Sequence, residues 1–526
     1  MVLVVGLAAI AARVAVLPLL PVPQPTLPDE FSHLLAAETF MQGRLTNPTP
    51  AMWTHFETLH VLLKPTYMSM YPPGQALFLA AGLKLTGTAF AGVLLGTGLM
   101  CGAMCWMLQG WFSPGWALLG GLLAVMRFGV FNYWANSYWG GAVAAFGGAL
   151  VLGALPRIWK RERTSDAVWM GLGLTILANS RPYEGLVFSV PVAAAVLVWL
   201  ARRRGRTMRE AIGRVVLPLA LVLAIAAGAM GYDFWRITGS PFRMPEQVAW
   251  HTYSVAPYLV GGRPRPVPVY HQEAVRDFYL HNQLGFYELS RTLPGLAAIE
   301  FVHYADIWMF YFGPALTLPL LLAVAALPYR LRWHTLGRSA RFLIAATAVS
   351  LAGITAEIYY FPHYSAPMTG LFLALVILAM RQARAWRPHG RATGRFVVRA
   401  VPVVCLLLLA VRIGAFPLHI PITPAWPPGP YNSISIPSDW ARIEQRLSDL
   451  PGKHLVLVHF VPEQKSDALV FNEPRIDQAK VIWAWDMGRA ENDKLIRCYG
   501  GRRVWMVDPR ESPARLEPYS SAAARP

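Results

Sequence analysis

Two adjacent carboxylates and a histidine, in Pro28-Asp29-Glu30-Phe31-Ser32-His33, follow directly on the first membrane-length apolar run, Val2 to Leu20. Acids at the edge of a bilayer are costly to hold near lipid, so they are usually solvated, paired or functional. The chemistry they support is general-base catalysis, in which a carboxylate takes the proton from a hydroxyl as it attacks. The structural alternative is a pair of acids stabilised at the positive end of a helix. His33 lies one turn beyond Asp29, so the two can share a face. The following loop, residues 44 to 70, carries His55, Glu57, His60 and Lys64 and ends against Tyr71-Pro72-Pro73-Gly74. Further along stand Arg181-Pro182-Tyr183-Glu184 and His363-Tyr364, which offer a guanidinium, an imidazole and a phenol to a phosphate.

The elements that must position these residues are membrane helices. The chain has 526 residues, is 55% hydrophobic and only 14% charged, and has a mean hydropathy of +0.38. That composition belongs to a polytopic membrane protein. The net charge of +18 comes from arginines clustered in short loops between apolar runs, which is a topology signal rather than a nucleic-acid surface. Cys101, Cys105 and Cys405 sit inside apolar runs and Cys498 stands near the C-terminus, so no disulfide framework or zinc site is implied. The first run lacks a basic flank and a small-residue cleavage site and reads as a retained helix. Arg13 is out of place within it, and a few cytoplasmic residues ahead of Met1 would restore the usual flank.

The segment 72–87 decides the topology. It is shorter than the roughly 20 residues that a spanning helix needs, and it contains Lys84. If it does not cross, about eleven spans follow, near 2–20, 89–109, 114–131, 138–156, 167–180, 185–200, 213–231, 311–328, 342–357, 364–380 and 397–415. The basic loops Arg157 to Arg163, Arg202 to Arg214, Arg330 to Arg341 and Arg381 to Arg399 then share one side, which the positive-inside rule makes cytoplasmic. The N-terminus is inside, the C-terminus outside, and Asp29, Glu30 and the 44–70 loop are extracytoplasmic. Eleven of the 13 histidines fall on that outer side.

The expected fold is thus mainly α, with juxtamembrane helices in the first outer loop (21–88), a long outer segment (232–310), and a transmembrane domain over 1–415. A Pro-rich linker over 416–436 leads to a small extracytoplasmic α/β domain over 437–526. There, Ser438 caps a helix, Asn492–Cys498 has helical spacing, and Leu455–Phe460, Val481–Trp485 and Val504–Val507 read as buried strands. Trp134, Tyr138 and Trp139 are expected at the bilayer boundary as an aromatic belt, or else as sugar-stacking rings.

An extracytoplasmic membrane enzyme has no nucleoside triphosphates to draw on, so its activated substrate arrives on a lipid. Polyprenyl-phosphate sugars fit that constraint. The Asp-Glu pair after the first helix, the long first loop and the Tyr71-Pro72-Pro73-Gly74 juxtamembrane helix resemble the GT-C superfamily of polyprenyl-phosphate-sugar glycosyltransferases. Members include the protein O-mannosyltransferases and lipid A aminoarabinose transferases. Arg181-Pro182 and His363-Tyr364-Ser365-Ala366-Pro367 extend the resemblance. It implies Asp29 as catalytic base with Glu30 beside it, inversion at the anomeric carbon, and a phosphate site drawing on Lys64, Tyr71, Arg181, His363 and Tyr364. Where the family places a lysine or histidine beside the double proline, this chain has Tyr71. Where many members carry a second loop acid, Asn132 to Gly141 has none.

A divalent metal stays an open alternative, with only His33, His55 and His60 as weak candidate ligands, and no other cofactor is implied. The expected partners are a polyprenyl-phosphate-sugar donor, an extracytoplasmic acceptor (lipid, polysaccharide or protein) and the bilayer, in a multi-pass protein of the plasma or inner membrane. Two other readings stand beside this one: a transporter or flippase of lipid-linked saccharides, and an inactive scaffold that binds carrier lipid.

Overall fold

The computed structural model describes residues 1–325, 337–387, 390–415, 418, 439–461, 470–511 and 513–519. The linker 416–436 and the capping Ser438 fall almost wholly outside the described residues. The chain is a polytopic helical membrane protein with a small sheet-containing unit at its C-terminal end.

The first helices are α1 (Val2–Ala15), α2 (Pro28–Met41), α3 (Gly74–Thr86), α4 (Ala89–Trp111), α5 (Pro114–Phe128), α6 (Ala142–Arg161), α7 (Thr164–Ala178) and α8 (Pro182–Ala201). They are followed by α9 (Gly205–Thr238), α10 (Leu293–Val324), α11 (Arg338–Ile354), α12 (Pro362–Arg384) and α13 (Thr393–Ala415). Among the described residues seven of these are long and apolar enough to cross a bilayer, and α1, α5 and α7 are shorter apolar helices. Each of the eleven apolar segments read from the sequence falls on a helix. Prolines open α2, α5 and α8, where a missing N–H costs nothing. The Thr88 hydroxyl caps α4 by accepting from the Phe90 amide at 3.3 Å.

The helices divide by surroundings. Of the apolar windows of α6 and α12, 83% lies inside the protein, against 11% for α9 and α13. The first pair therefore forms the bundle centre, and the second pair turns leucine and valine outward to lipid. Arg13 is accommodated within the bundle. It is fully buried, and it donates to Asn136 Oδ1 at 2.9 Å and to the carbonyls of Leu20 and Pro21. Its charge-assisted hydrogen bonds tie the end of the first span to the 129–141 loop.

The aromatic residues of that loop are interior. Tyr133, Trp134, Tyr138 and Trp139 are all buried, with Trp134 wedged against Phe128, Phe310 and Tyr311. They form neither a bilayer belt nor an exposed sugar platform. Spacing alone cannot separate an interfacial tryptophan from one that packs under a loop.

In the 44–70 loop a short antiparallel pair, β1 (Val61–Leu62) with β2 (Met68–Ser69), closes a compact hairpin. The C-terminal unit carries β3 (His454–Val458), β4 (Val481–Trp485), β5 (Arg503–Asp508) and β6 (Arg515–Pro518) in the order β4-β3-β5-β6. β3 runs parallel to both neighbours and β6 is antiparallel to β5. Both faces are covered, as the unbroken apolar runs require. Val456, Val458 and Trp483 face Ile443 and Leu447 of α14 (Asp439–Asp449), whereas Leu455, Leu457 and Ile482 face Leu495 of α15 (Arg489–Cys498). The second face also packs on Phe31, Phe56 and Val61, so the sheet is seated on α2 and the first loop. Trp485 Nε1 donates to the Glu57 carbonyl at 2.7 Å and Tyr67 to the Asn472 carbonyl at 2.8 Å, pinning that seat.

Candidate functional site

Asp29 and Glu30 stand side by side but are held differently. Glu30 turns back under the helix start. Its Oε2 accepts from the Thr26 and Leu27 amides at 2.9 and 3.2 Å, and its Oε1 from the Tyr138 amide at 3.0 Å. The side chain is buried, and burial pushes its carboxyl up to about 7 against the pull of those amides. With both oxygens accepting from main-chain amides, Glu30 joins α2 to the 129–141 loop.

Asp29 faces the opposite way. Its Oδ1 accepts the Tyr71 hydroxyl at 2.5 Å, and its Oδ2 lies 3.8 Å from His60 Nε2. The side chain is 22% exposed, enough for an incoming hydroxyl to reach it. Burial, and after it the Asp29 charge, holds the Tyr71 phenol well above its ordinary range, so Tyr71 remains a proton donor to the carboxylate. His33 stacks on Tyr71 at 4.7 Å between ring centroids, and burial lowers its imidazole to about 3. It is therefore a neutral spacer near pH 7. Its Nδ1 has no hydrogen-bond partner among the described residues.

Backbone geometry sets His60 in place. It adopts φ +63°, uncommon for a residue with a side chain. The Ser32 hydroxyl donates to its carbonyl at 2.7 Å, and the Met70 amide bonds the same oxygen at 3.1 Å. Its ring is thereby aimed at Asp29, with Phe278 edge-on at 5.6 Å.

The Pro-Pro-Gly turn is the hinge between the acid and the cation. The Gly74 amide donates to the Asn179 carbonyl at 2.6 Å, and a Cβ at Gly74 would come within 2.5 Å of that oxygen. Only glycine allows this approach. Tyr71 is thus fixed to Asp29 on one side while Gly74 is fixed to the Asn179-Ser180-Arg181 turn on the other. Arg181 lies over the Tyr364 ring at 4.4 Å and stands 3.7 Å from Glu184, longer than a hydrogen bond. Tyr71 and Tyr364 each sense the charges of both Asp29 and Arg181, which puts the acid and the guanidinium in one electrostatic neighbourhood. His363, fully buried, bonds the Tyr133 hydroxyl through Nδ1 at 2.9 Å and so braces the wall under Tyr364.

Two expected site residues stay apart. The Lys64 ammonium rests over the Trp53 ring at 4.1 Å on the exposed side of the loop, and none of its described contacts reaches Asp29. His55 is buried at the seat of the sheet with neither ring nitrogen bonded among the described residues, and burial lowers its imidazole. Glu57 binds Tyr253 and His271 and so anchors the long outer segment. Among the described residues no three histidine, cysteine, aspartate or glutamate side chains converge as a metal set would.

Sequence reasoning missed the carboxylates around Arg181. Glu246 and Glu357 lie within its field together with Glu184. Glu357 is fully buried with neither oxygen hydrogen-bonded among the described residues; burial, then the Glu184 charge, raises its carboxyl well above the usual range. Three acids therefore face one guanidinium, and none comes from the loop where a second acid was sought. Distance in sequence hid Glu246 and Glu357, whereas Glu184 stands three residues from Arg181 and was read beside it.

No protein-family model and no curated protein matches the chain. Solved structures do. ArnT from Cupriavidus metallidurans in the apo state aligns with a TM-score of 0.52 at 13% identity, over 95% of this chain and 92% of that one. The same protein bound to undecaprenyl phosphate aligns with a TM-score of 0.50 at 13% identity, over the same shares. The Archaeoglobus fulgidus oligosaccharyltransferase in complex with zinc and sulfate gives 0.50 at 11% identity, over 96% of this chain and 68% of that one. At these identities the likeness is one of fold alone.

Proposed function

We propose that the protein is an integral membrane glycosyltransferase that moves a sugar from a polyprenyl-phosphate carrier to an acceptor outside the cytoplasm, with Asp29 as general base. The observation that supports this reading is the linkage, through Tyr71-Pro72-Pro73-Gly74, of a partly exposed Asp29 carboxylate to the turn that carries the Arg181 guanidinium. The shared fold with an oligosaccharyltransferase and with a protein that binds undecaprenyl phosphate supports the general reaction.

In the proposed step Asp29 takes the proton of the acceptor hydroxyl. The oxygen attacks the anomeric carbon from the face opposite the phosphate, the glycosidic phosphate bond breaks, and its electron pair leaves on the carrier phosphate. The configuration inverts. Arg181 and its neighbour Tyr364 stabilise the departing charge; Tyr71 and His60 hold Asp29 in its attacking orientation. Glu30 positions the helix start, and His363 braces the phosphate side. The active site is assigned to the extracytoplasmic face of the plasma or inner membrane by the arginine-rich loops of the other side.

The test is transfer by purified full-length protein from a panel of polyprenyl-phosphate sugars to lipid, polysaccharide and peptide acceptors. Transfer by the wild type, lost in Asp29→Asn, is the expected result. Transfer undiminished in the variant removes Asp29 as base, and movement of donor across vesicles without transfer points to a transporter.

A further inference from the structure

A charged cavity lies beside the aromatic wall formed by Phe310, Trp134 and Tyr133. It encloses about 180 Å³ between α5, α10 and α13, and it is lined by Met126, Arg127, Phe131, Gly313, Leu409 and Arg412. It opens at the same end of the bundle as the candidate site, because α5 runs directly into the 129–141 loop.

Its chemistry is one-sided. Arg127 donates through Nε to the Phe310 carbonyl at 2.8 Å and through a terminal nitrogen to that of Met309. These carbonyls belong to a π-helical turn, Trp308–Phe312, an irregularity frequent at functional sites. Arg412 makes one long contact, 3.4 Å, to the Phe131 carbonyl. Among the described residues neither guanidinium has a carboxylate within salt-bridge distance. Two like charges side by side at membrane depth, each with N–H groups to spare, are unfavourable without an anion. Gly313 brings main chain onto the pair. It sits at φ +57°, and a Cβ there would lie 3.2 Å from both terminal nitrogens of Arg127. A side chain would be strained at that φ and would crowd the guanidinium.

The anion must come through lipid. Arg412 and Leu409 belong to α13, whose Val404, Leu408 and Val411 are 41%, 48% and 55% exposed on a helix that faces the bilayer. The aromatic wall closes the other side. Phe310 packs on Trp134 at 4.9 Å and on Tyr133 at 5.5 Å, and Tyr133 in turn bonds His363. Two guanidiniums suit the oxygens of a phosphate, which each can bind with parallel N–H bonds.

We propose that this cavity is a headgroup site for an anionic phospholipid, bound from the bilayer with its phosphate between Arg127 and Arg412, separate from the phosphate site at Arg181. The lipid neutralises the pair and locks the π turn to α5 and α13.

The experiment titrates delipidated full-length protein with phosphatidylglycerol, phosphatidylcholine or inorganic phosphate, reading lipid retention by native mass spectrometry and melting temperature. Phosphatidylglycerol is expected to bind and raise the melting temperature. Arg412→Gln should weaken it about tenfold, the loss of one charge-assisted contact, whereas Arg181→Gln should leave it unchanged. Alkylation of Cys405, which also lines the cavity, should slow when the lipid is bound; a Cys498→Ser background removes the exposed thiol. Should Arg412→Gln fail to fold, Leu409→Trp, which fills the mouth, provides the same test. Equal retention of phosphatidylcholine, unchanged affinity in both cavity variants, or loss of binding in Arg181→Gln would overturn the proposal. Inorganic phosphate binding as tightly as the lipid would reassign the cavity to a soluble anion and overturn the lipid reading.

Discussion

Two helix starts in this protein share a local pattern and use it in opposite ways. α2 and α8 both begin with proline at the first helical position and glutamate two residues on, Pro28 with Glu30 and Pro182 with Glu184. At α2 the glutamate is consumed by three main-chain amides. At α8 the glutamate has an Oε1 without a hydrogen bond and stands 3.7 Å from Arg181. The first glutamate is spent on main chain, and the second stands beyond hydrogen-bond length from Arg181; on the proposed reading that leaves Asp29 as the base and Arg181 as the phosphate cation.

The largest effect expected from this contrast is at Asp29. Asp29→Asn keeps the Tyr71 hydrogen bond but removes the base, and it should lower kcat by about 10²- to 10⁴-fold with little change in melting temperature. A comparable loss in Glu30→Gln with Asp29→Asn active would reverse the roles assigned to the two acids. Next comes Arg181→Gln, expected to cost about 10- to 100-fold in kcat/KM, the range of a lost contact to developing phosphate charge.

The glutamates themselves sharpen the comparison. Glu30→Gln puts an NH₂ group where a carboxylate oxygen accepts main-chain donors, so it should destabilise the fold by about 1–3 kcal/mol, read as a fall in melting temperature. Glu184→Gln removes a buried carboxylate whose pairing is poor. Its melting temperature should hold or rise, while KM for the donor shifts a few-fold. Equal destabilisation by both variants would show that the two helix starts are built alike.

How legible all this was depends on the range of the interactions. The helices and the strands of the C-terminal unit follow from runs of one residue class, and that signal is local. Asp29 also stood out locally, as an acid where hydropathy ends. Its partners did not. His60 is fixed by Ser32 and by its own left-handed backbone, and neither is written in the spacing of the loop. Lys64 looked like the phosphate cation because the resemblance implies a basic residue near the double proline, where this chain has Tyr71, yet the face of Trp53, worth roughly 0.5–1 kcal/mol to an exposed ammonium, holds it elsewhere. The second set of acids was sought in one loop and lies in three separate segments, at Glu184, Glu246 and Glu357. Arg127 and Arg412 are 285 positions apart and became a pair only when α5 and α13 were seen side by side.

The smallest expected effect concerns the seat of the C-terminal sheet on α2. Glu38 faces Glu473 there, and burial followed by that like charge pushes the Glu38 carboxyl up to about 7. In the unfolded chain the group titrates near its ordinary value of about 4.3. Between those values the folded protein holds a proton that the unfolded chain has lost, so its contribution is complete at low pH and disappears as pH rises through about 7. The melting temperature should therefore fall by a few degrees between pH 5 and 8. Glu30 and Glu444, both also pushed up to about 7 by burial, titrate in the same direction. Glu38→Gln should then flatten the slope without abolishing it, because it removes only one of several contributions. An unchanged slope in that variant would mean that the sheet does not hold Glu38 out of water, and that α2 is anchored to the bundle side alone through Glu30.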